Sequence, residues 1–98
     1  MKQDLTFINE KGSRCNHDLT VYALSTCGFC KKAIKFLKDN SIKFKYVYFD
    51  DLDSDLQNKI EETLKDKFDK RIAFPFLVID DKRCLVGFNQ EEWEEKLL

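Results

Sequence analysis

The chain has one proline, no repeats, no low-complexity tract and no apolar run approaching the roughly 20 residues that cross a membrane as a helix. Each absence excludes something. Without a Pro- or Gly-rich stretch there is no linker to divide the chain, so its 98 residues read as one unit around one core. A hydrophobic content of 43% with 13% aromatic residues is that of a globular protein and excludes a disordered one. A large charge of one sign is also missing. Seventeen basic side chains against eighteen acidic ones leave a net charge of -1, which gives no electrostatic reason to expect a nucleic acid or an anionic membrane as partner. Met1-Lys2-Gln3-Asp4 lacks the apolar core of a signal peptide, so the expected location is cytoplasmic. In that reducing compartment four cysteines point to catalysis or metal binding rather than to a disulfide framework.

Apolar periodicity supplies the elements. Residues 19–24 are almost continuously apolar, as in a strand covered on both faces. Cys30, Ala33, Ile34 and Leu37 recur at intervals of three and four, predicting a helix over about 28–39 with Lys31, Lys32, Lys35 and Lys38 outward. Residues 44–49 are aromatic and β-branched enough for a second strand. Leu52, Leu56, Ile60, Leu64 and Phe68 recur every four residues through a second helix, with Asp50, Asp51, Asp53 and Ser54 as caps and Lys65, Lys67 and Lys70 complementing its dipole. Strands over 76–79 and 83–86 flank the turn residues Asp80-Asp81-Lys82 and predict a hairpin. Beyond Gly87-Phe88, Asn89 with Glu92 three residues on is the capping signature of a last helix, anchored by Trp93 and Leu97. The first 18 residues are less regular. Leu5-Thr6-Phe7-Ile8 suggests a short strand and Asn9-Glu10-Lys11-Gly12-Ser13 a turn, so the expectation is an added edge strand or loosely held arm over 1–18, ahead of a domain over 19–98.

Cys27-Gly28-Phe29-Cys30 stands where the first long strand feeds the first helix. Two cysteines so placed form a redox pair rather than a structural staple. Cys27 falls at the helix start, where unpaired backbone N–H groups and the helix dipole favour negative charge, and Lys31 and Lys32 add nearby cations that favour a thiolate. Cys30 belongs to the inward stripe, and apolar surroundings disfavour its ionised form. A different reading takes Cys15 and His17 with Cys27 and Cys30 as four zinc ligands, although the spacing is not a standard ligand pattern. Cys84 reads as a small buried hydrophobe, Cys15 as an exposed thiol, His17 as a polar loop residue and Trp93 as core. Phe29 and Phe88, beside the thiol pair, either grip a substrate or pack as satellite core. Glu91, Glu92, Glu94 and Glu95 form a solvated helix face.

The order β-α-β-α-β-β-α, with Cys-x-x-Cys after the first strand, Pro75 opening the third and Gly87 after the hairpin, resembles the glutaredoxin family of the thioredoxin-like fold over residues 19–97. The resemblance implies an α/β fold of three layers with a mixed central sheet, and a monomeric dithiol–disulfide oxidoreductase that reduces protein or mixed disulfides. In it Cys27 is the nucleophile and Cys30 the resolving thiol, the two joining as a disulfide in the oxidised state. It also implies a cis Phe74–Pro75 bond, with Phe29, Phe74, Pro75, Gly87 and Phe88 against the substrate and the Phe74 backbone pairing with it as a strand would. No cofactor or metal is held in this reading. Electrons come from glutathione or a thioredoxin-reductase-type flavoenzyme, at a potential of about −200 to −230 mV. Ribonucleotide reductase, a peroxidase and low-molecular-weight thiols are the partners it suggests.

The chain departs from the family pattern at several positions. Many dithiol members carry Cys-Pro-Tyr-Cys, a lysine three residues earlier, Thr-Val-Pro, and Gly-Gly near an acidic residue that holds the glutathione γ-glutamyl end. The corresponding stretches here are Cys-Gly-Phe-Cys, Leu24, Ala73-Phe74-Pro75 and Gly87-Phe88-Asn89-Gln90. Glutathione contacts are thus missing, and the single glycine before Phe88 is more similar to NrdH-type redoxins, which a reductase feeds. Gly28-Phe29 is shared with Cys-Gly-Phe-Ser monothiol members that hold an iron–sulfur cluster, so an iron–sulfur or zinc binding protein is the alternative.

Overall fold

The computed structural model describes residues 7–98. Five strands and three α-helices follow in the order β1 (Ile8–Glu10), β2 (Leu19–Ala23), α1 (Gly28–Asp39), β3 (Phe44–Tyr48), a single 3₁₀ turn (Phe49–Asp51), α2 (Ser54–Phe68), β4 (Phe76–Ile79), β5 (Arg83–Val86) and α3 (Gln90–Leu97). The strands form one mixed sheet in the order β1-β3-β2-β4-β5, with β2 and β3 parallel and every other pair antiparallel. The parallel pair needs a crossover connection, and α1 supplies it.

Alternation along each central strand divides the core into two layers. Leu19, Val21 and Ala23 of β2, Phe44 and Tyr46 of β3 and Leu77 and Ile79 of β4 pack with Cys30, Ala33, Ile34, Phe36 and Leu37 of α1 and Trp93 and Leu97 of α3. The opposite face carries Val47, Phe76 and Val78, which pack with Ile60 and Leu64 of α2. α1 and α3 therefore cover one face and α2 the other, the three-layer arrangement that the family resemblance implies. Trp93 is fully buried between Phe36 and Phe88, and its indole Nε1–H donates to the Gly87 carbonyl at 3.2 Å.

Helix ends follow local chemistry. The Asp53 carboxylate accepts the Leu56 N–H at 2.9 Å and starts α2, while Asp69 closes it in the left-handed conformation (φ 52°). Asp53 is thus the cap, Phe49 has left the strand, and Leu52 is buried ahead of α2 rather than on its stripe. Asn89 accepts the Glu92 N–H at 3.0 Å and starts α3. β4 and β5 are joined by the three residues Asp80-Asp81-Lys82, in which Asp80 and Asp81 both have positive φ (54° and 59°) and the Lys82 N–H donates to the Ile79 carbonyl at 3.0 Å.

The N-terminal arm differs from its expected register. The strand is Ile8–Glu10, paired with Tyr46, Lys45 and Phe44, so Asn9 and Glu10 belong to the sheet edge and not to a turn; Leu5 and Thr6 lie outside the described residues. Pairing with β3 satisfies backbone groups that a turn there would leave open. The chain then passes at Gly12 so close to a later segment that a Cβ would collide with the backbone of Ser41 and Ile42. Arg14 then exchanges hydrogen bonds with Ser41 (2.9 Å) and Lys43 (2.8 Å). His17 is more than a loop residue: its ring Nδ1 donates to Asp80 Oδ2 at 2.8 Å, and Asp18 N–H donates to Asp80 Oδ1 at 2.8 Å, clasping the arm to the hairpin turn.

Candidate active site

Sheet register gathers four loops at one end of the molecule. Tyr22 lies opposite Phe76, Phe76 opposite Val86, and Ala23 beside Tyr48, with neighbouring strands about 4.8 Å apart. The chain leaving β2 (Leu24 to Cys27), the one entering β4 (Phe74-Pro75), the one leaving β5 (Gly87-Phe88) and the one leaving β3 (Phe49 to Asp51) therefore emerge side by side. Hydrogen bonds join them in pairs. Gly87 N–H donates to the Pro75 carbonyl at 2.8 Å, and Asp50 accepts both the Ser25 N–H, at 2.9 Å, and the Ser25 hydroxyl. The Phe74–Pro75 bond is cis, and Gly87 has φ +78°, a conformation that favours glycine.

Cys27 is the N-cap of α1. Its sulfur accepts the Cys30 N–H at 3.3 Å, doing with sulfur what an N-cap oxygen does at other helix starts. It is partly exposed, whereas Cys30 one turn on is completely buried, with the Leu24 N–H pointing at its sulfur at 3.5 Å. Burial pushes the Cys30 thiol up to about 12, helped by its hydrogen bond to Cys27 and by the charges of Cys27 and Asp50, with the Leu24 N–H opposing. One sulfur is thus reachable and capped by a donor, and the other is protonated and held beneath it. Hydrogen bonds from Ser25, hydroxyl first and backbone second, hold the Asp50 carboxyl below the usual carboxylate range.

The remaining sequence candidates divide by environment. Phe29 is 62% exposed, with the Lys32 ammonium 5.5 Å from its ring centroid; Lys31 is exposed on the same turn. Phe74 is half-buried against Phe49 (5.1 Å between ring centroids), and Phe88 is half-buried on Trp93 (5.0 Å) and Phe36 (5.7 Å), so both combine packing with an accessible edge. Pro75 is buried. Cys84 is half-buried on the α2 face of β5, where burial raises its thiol.

The zinc reading is not assembled. Cys15 and His17 precede β2 while Cys27 and Cys30 follow it, so the length of that strand, roughly 13 Å, lies between the pairs. His17 is engaged with Asp80 instead, and among the described residues no group of three or more His, Cys, Asp or Glu side chains is placed to hold a metal ion. Asp50 was legible only as a helix cap; its bonds to the loop carrying Cys27 depend on the β2–β3 register, which no local pattern shows.

The family comparison agrees with this geometry. The glutaredoxin family model matches residues 19–84. Among solved structures the chain is similar to a glutaredoxin from Methanosarcina mazei Go1 at 32% identity, over 98% of this chain and 90% of that one, with a TM-score of 0.81. It is also similar to the methanoredoxin of Methanosarcina acetivorans (30% identity, 85% and 86% of the two chains, TM-score 0.76). A glutaredoxin from Archaeoglobus fulgidus follows (28% identity, 82% and 85%, TM-score 0.69). No curated protein matches the chain. Its strand order, its capped Cys27 over a buried Cys30 and the match across 19–84 agree, and the chain belongs to the glutaredoxin family of thioredoxin-like thiol–disulfide oxidoreductases.

Proposed function

We propose that the protein reduces disulfides in other proteins, and mixed disulfides with small thiols, by dithiol exchange through Cys27 and Cys30. The observation that carries this reading is the asymmetry of the pair, one sulfur capping a helix at the surface and the other buried one turn beneath it. The Cys27 thiolate attacks one sulfur of the substrate disulfide, forming a mixed disulfide and expelling the other sulfur as a thiolate. Cys30 then gives up its proton and attacks Cys27. The second substrate sulfur leaves, both substrate sulfurs are now thiols, and two electrons have left the enzyme, which holds a disulfide between Cys27 and Cys30. In the mixed disulfide the charge of Cys27 is gone, which removes part of what holds the Cys30 proton.

We further propose that a reductase, rather than glutathione, returns the two electrons. The apolar Leu24 stands where many members have a lysine, and it offers no polar hold to a glutathione carboxylate. Cys27→Ser is expected to abolish reduction of a protein disulfide, while Cys30→Ser is expected to stop after one step with substrate covalently attached to Cys27. Full turnover in either variant would end the dithiol reading. Offering the oxidised protein first glutathione and its reductase, then a thioredoxin-reductase-type flavoenzyme, tests the donor; rapid reduction by glutathione alone would refute that part.

A further inference from the structure

A groove of about 320 Å³ lies between α1 and the start of α3, lined by Lys32, Lys35, Phe36, Asp39, Asn40, Phe88 and Gln90. Its floor is aromatic, with the Phe36 and Phe88 rings 5.7 Å apart. Its α1 wall is cationic. Lys35 is paired with Asp39 at 2.6 Å, and among the described residues Lys32 has no carboxylate partner, only the exposed Phe29 ring. On the α3 side the lining residue is the neutral Gln90, whose amide is bonded to Glu94 at 3.0 Å. Lys32 lies five residues beyond Cys27, roughly 7.5 Å of helix rise, so a polypeptide two or three residues from its disulfide reaches this cation.

We propose that the groove docks an acidic segment of the substrate protein, an apolar side chain resting on Phe36 and Phe88 with a neighbouring carboxylate meeting Lys32. Charge selects the partner: the solvent face of α1 carries four lysines against one aspartate, and the groove holds one cation more than its own carboxylate neutralises. The apolar floor requires a side chain with carbon to bury, which inorganic anions lack. The proposal rests on the dithiol-exchange reading for its substrate class, while the binding itself stands apart from the chemistry.

The test uses two disulfide peptides that differ only in their flanks, Asp-Phe-Asp in one and Lys-Phe-Lys in the other, together with a small uncharged disulfide. At low salt the acidic peptide is expected to show a KM about three- to five-fold lower than the basic one, the size an exposed ion pair supports, and the difference is expected to vanish at 0.5 M salt. Lys32→Glu is expected to invert the preference, read as a ratio so that any common loss of rate cancels. Asp39→Asn, which frees Lys35, is expected to widen it. Equal KM values in the wild type, or a preference untouched by Lys32→Glu, would overturn the proposal. A disulfide-free Asp-Phe-Asp peptide followed by amide chemical shifts decides the groove even if no disulfide is reduced. Shifts centred on Lys32, Phe36 and Phe88, absent with Lys-Phe-Lys, support it; shifts elsewhere, or the same shifts with both peptides, refute it.

Discussion

Alkylation of the reduced protein should separate its cysteines by orders of magnitude, with Cys30 the slowest. Its thiol is pushed up to about 12 and its surface is wholly covered. At pH 7 a thiol of that acidity is ionised to about one part in 10⁵, against about 3% for a free cysteine of pKa near 8.5, so the ionisation factor alone slows Cys30 by roughly 10³. Exclusion of the reagent from a buried sulfur adds to this. The assay is timed iodoacetamide labelling with quantitation of each cysteine-containing peptide by mass spectrometry, the exposed Cys15 serving as internal reference. Cys15 and Cys27 should be modified while Cys30 stays free. Raising the pH from 7 to 9 should speed Cys30 about a hundred-fold, because its thiolate fraction grows ten-fold per unit below its pKa. Labelling of Cys30 within ten-fold of Cys15 at pH 7 would refute the argument that burial and the Cys27 bond hold its proton.

The same raised thiol makes stability fall at high pH. A group whose folded pKa lies above its unfolded value stabilises fully below the unfolded value and loses that contribution as pH rises through the folded one, so Cys30 predicts a loss between about pH 9 and about 12. Tyr22 and Tyr46 are also raised by burial and titrate in the same direction, so thermal melts of Cys30→Ser, which should lose less over that window than the wild type, isolate the cysteine. Asp50→Asn removes the charge from the carboxyl that holds Ser25; Cys30 should then alkylate faster, and a rate equal to the wild type would show that Asp50 does not act on it. Trp93→Phe loses the hydrogen bond to Gly87 and part of a filled volume, a cost of roughly 1–3 kcal/mol in urea unfolding. Faster amide exchange at Gly87 and Phe88 should accompany it.

Most of the fold was legible because its elements announce themselves locally. α1 is marked by an apolar stripe with lysines opposite, α3 by Asn89 and Glu92, and the β4–β5 hairpin by two aspartates between apolar runs. The N-terminal strand was placed early by sequence because Ile8-Asn9-Glu10 has little apolar character; its strand state comes from the β3 edge it covers. Phe36 was missed in the α1 stripe because its partners, Phe88 and Trp93, come from more than 50 residues downstream and bury a position off the main seam. At the site, the spacing of Cys27 and Cys30 and the location of Pro75 could be read directly. The grip of Asp50 on Ser25, the reach of His17 to Asp80 and the groove above Phe36 are products of register and packing, and no single stretch of sequence contains them.

The paired left-handed aspartates at positions 80 and 81 act as a ruler for chemistry at the far end of the hairpin. With the three-residue connection Asp80-Asp81-Lys82, Ile79 faces Arg83 and Phe76 faces Val86, and this count delivers the Gly87 amide to the Pro75 oxygen. One residue more or less in that connection would turn Leu85 away from the α1 layer and carry Gly87 and Phe88 off the thiol end. A change some four residues of strand away, touching no sulfur, would thus be enough to dismantle the packing of Gly87 and Phe88 at the thiol end.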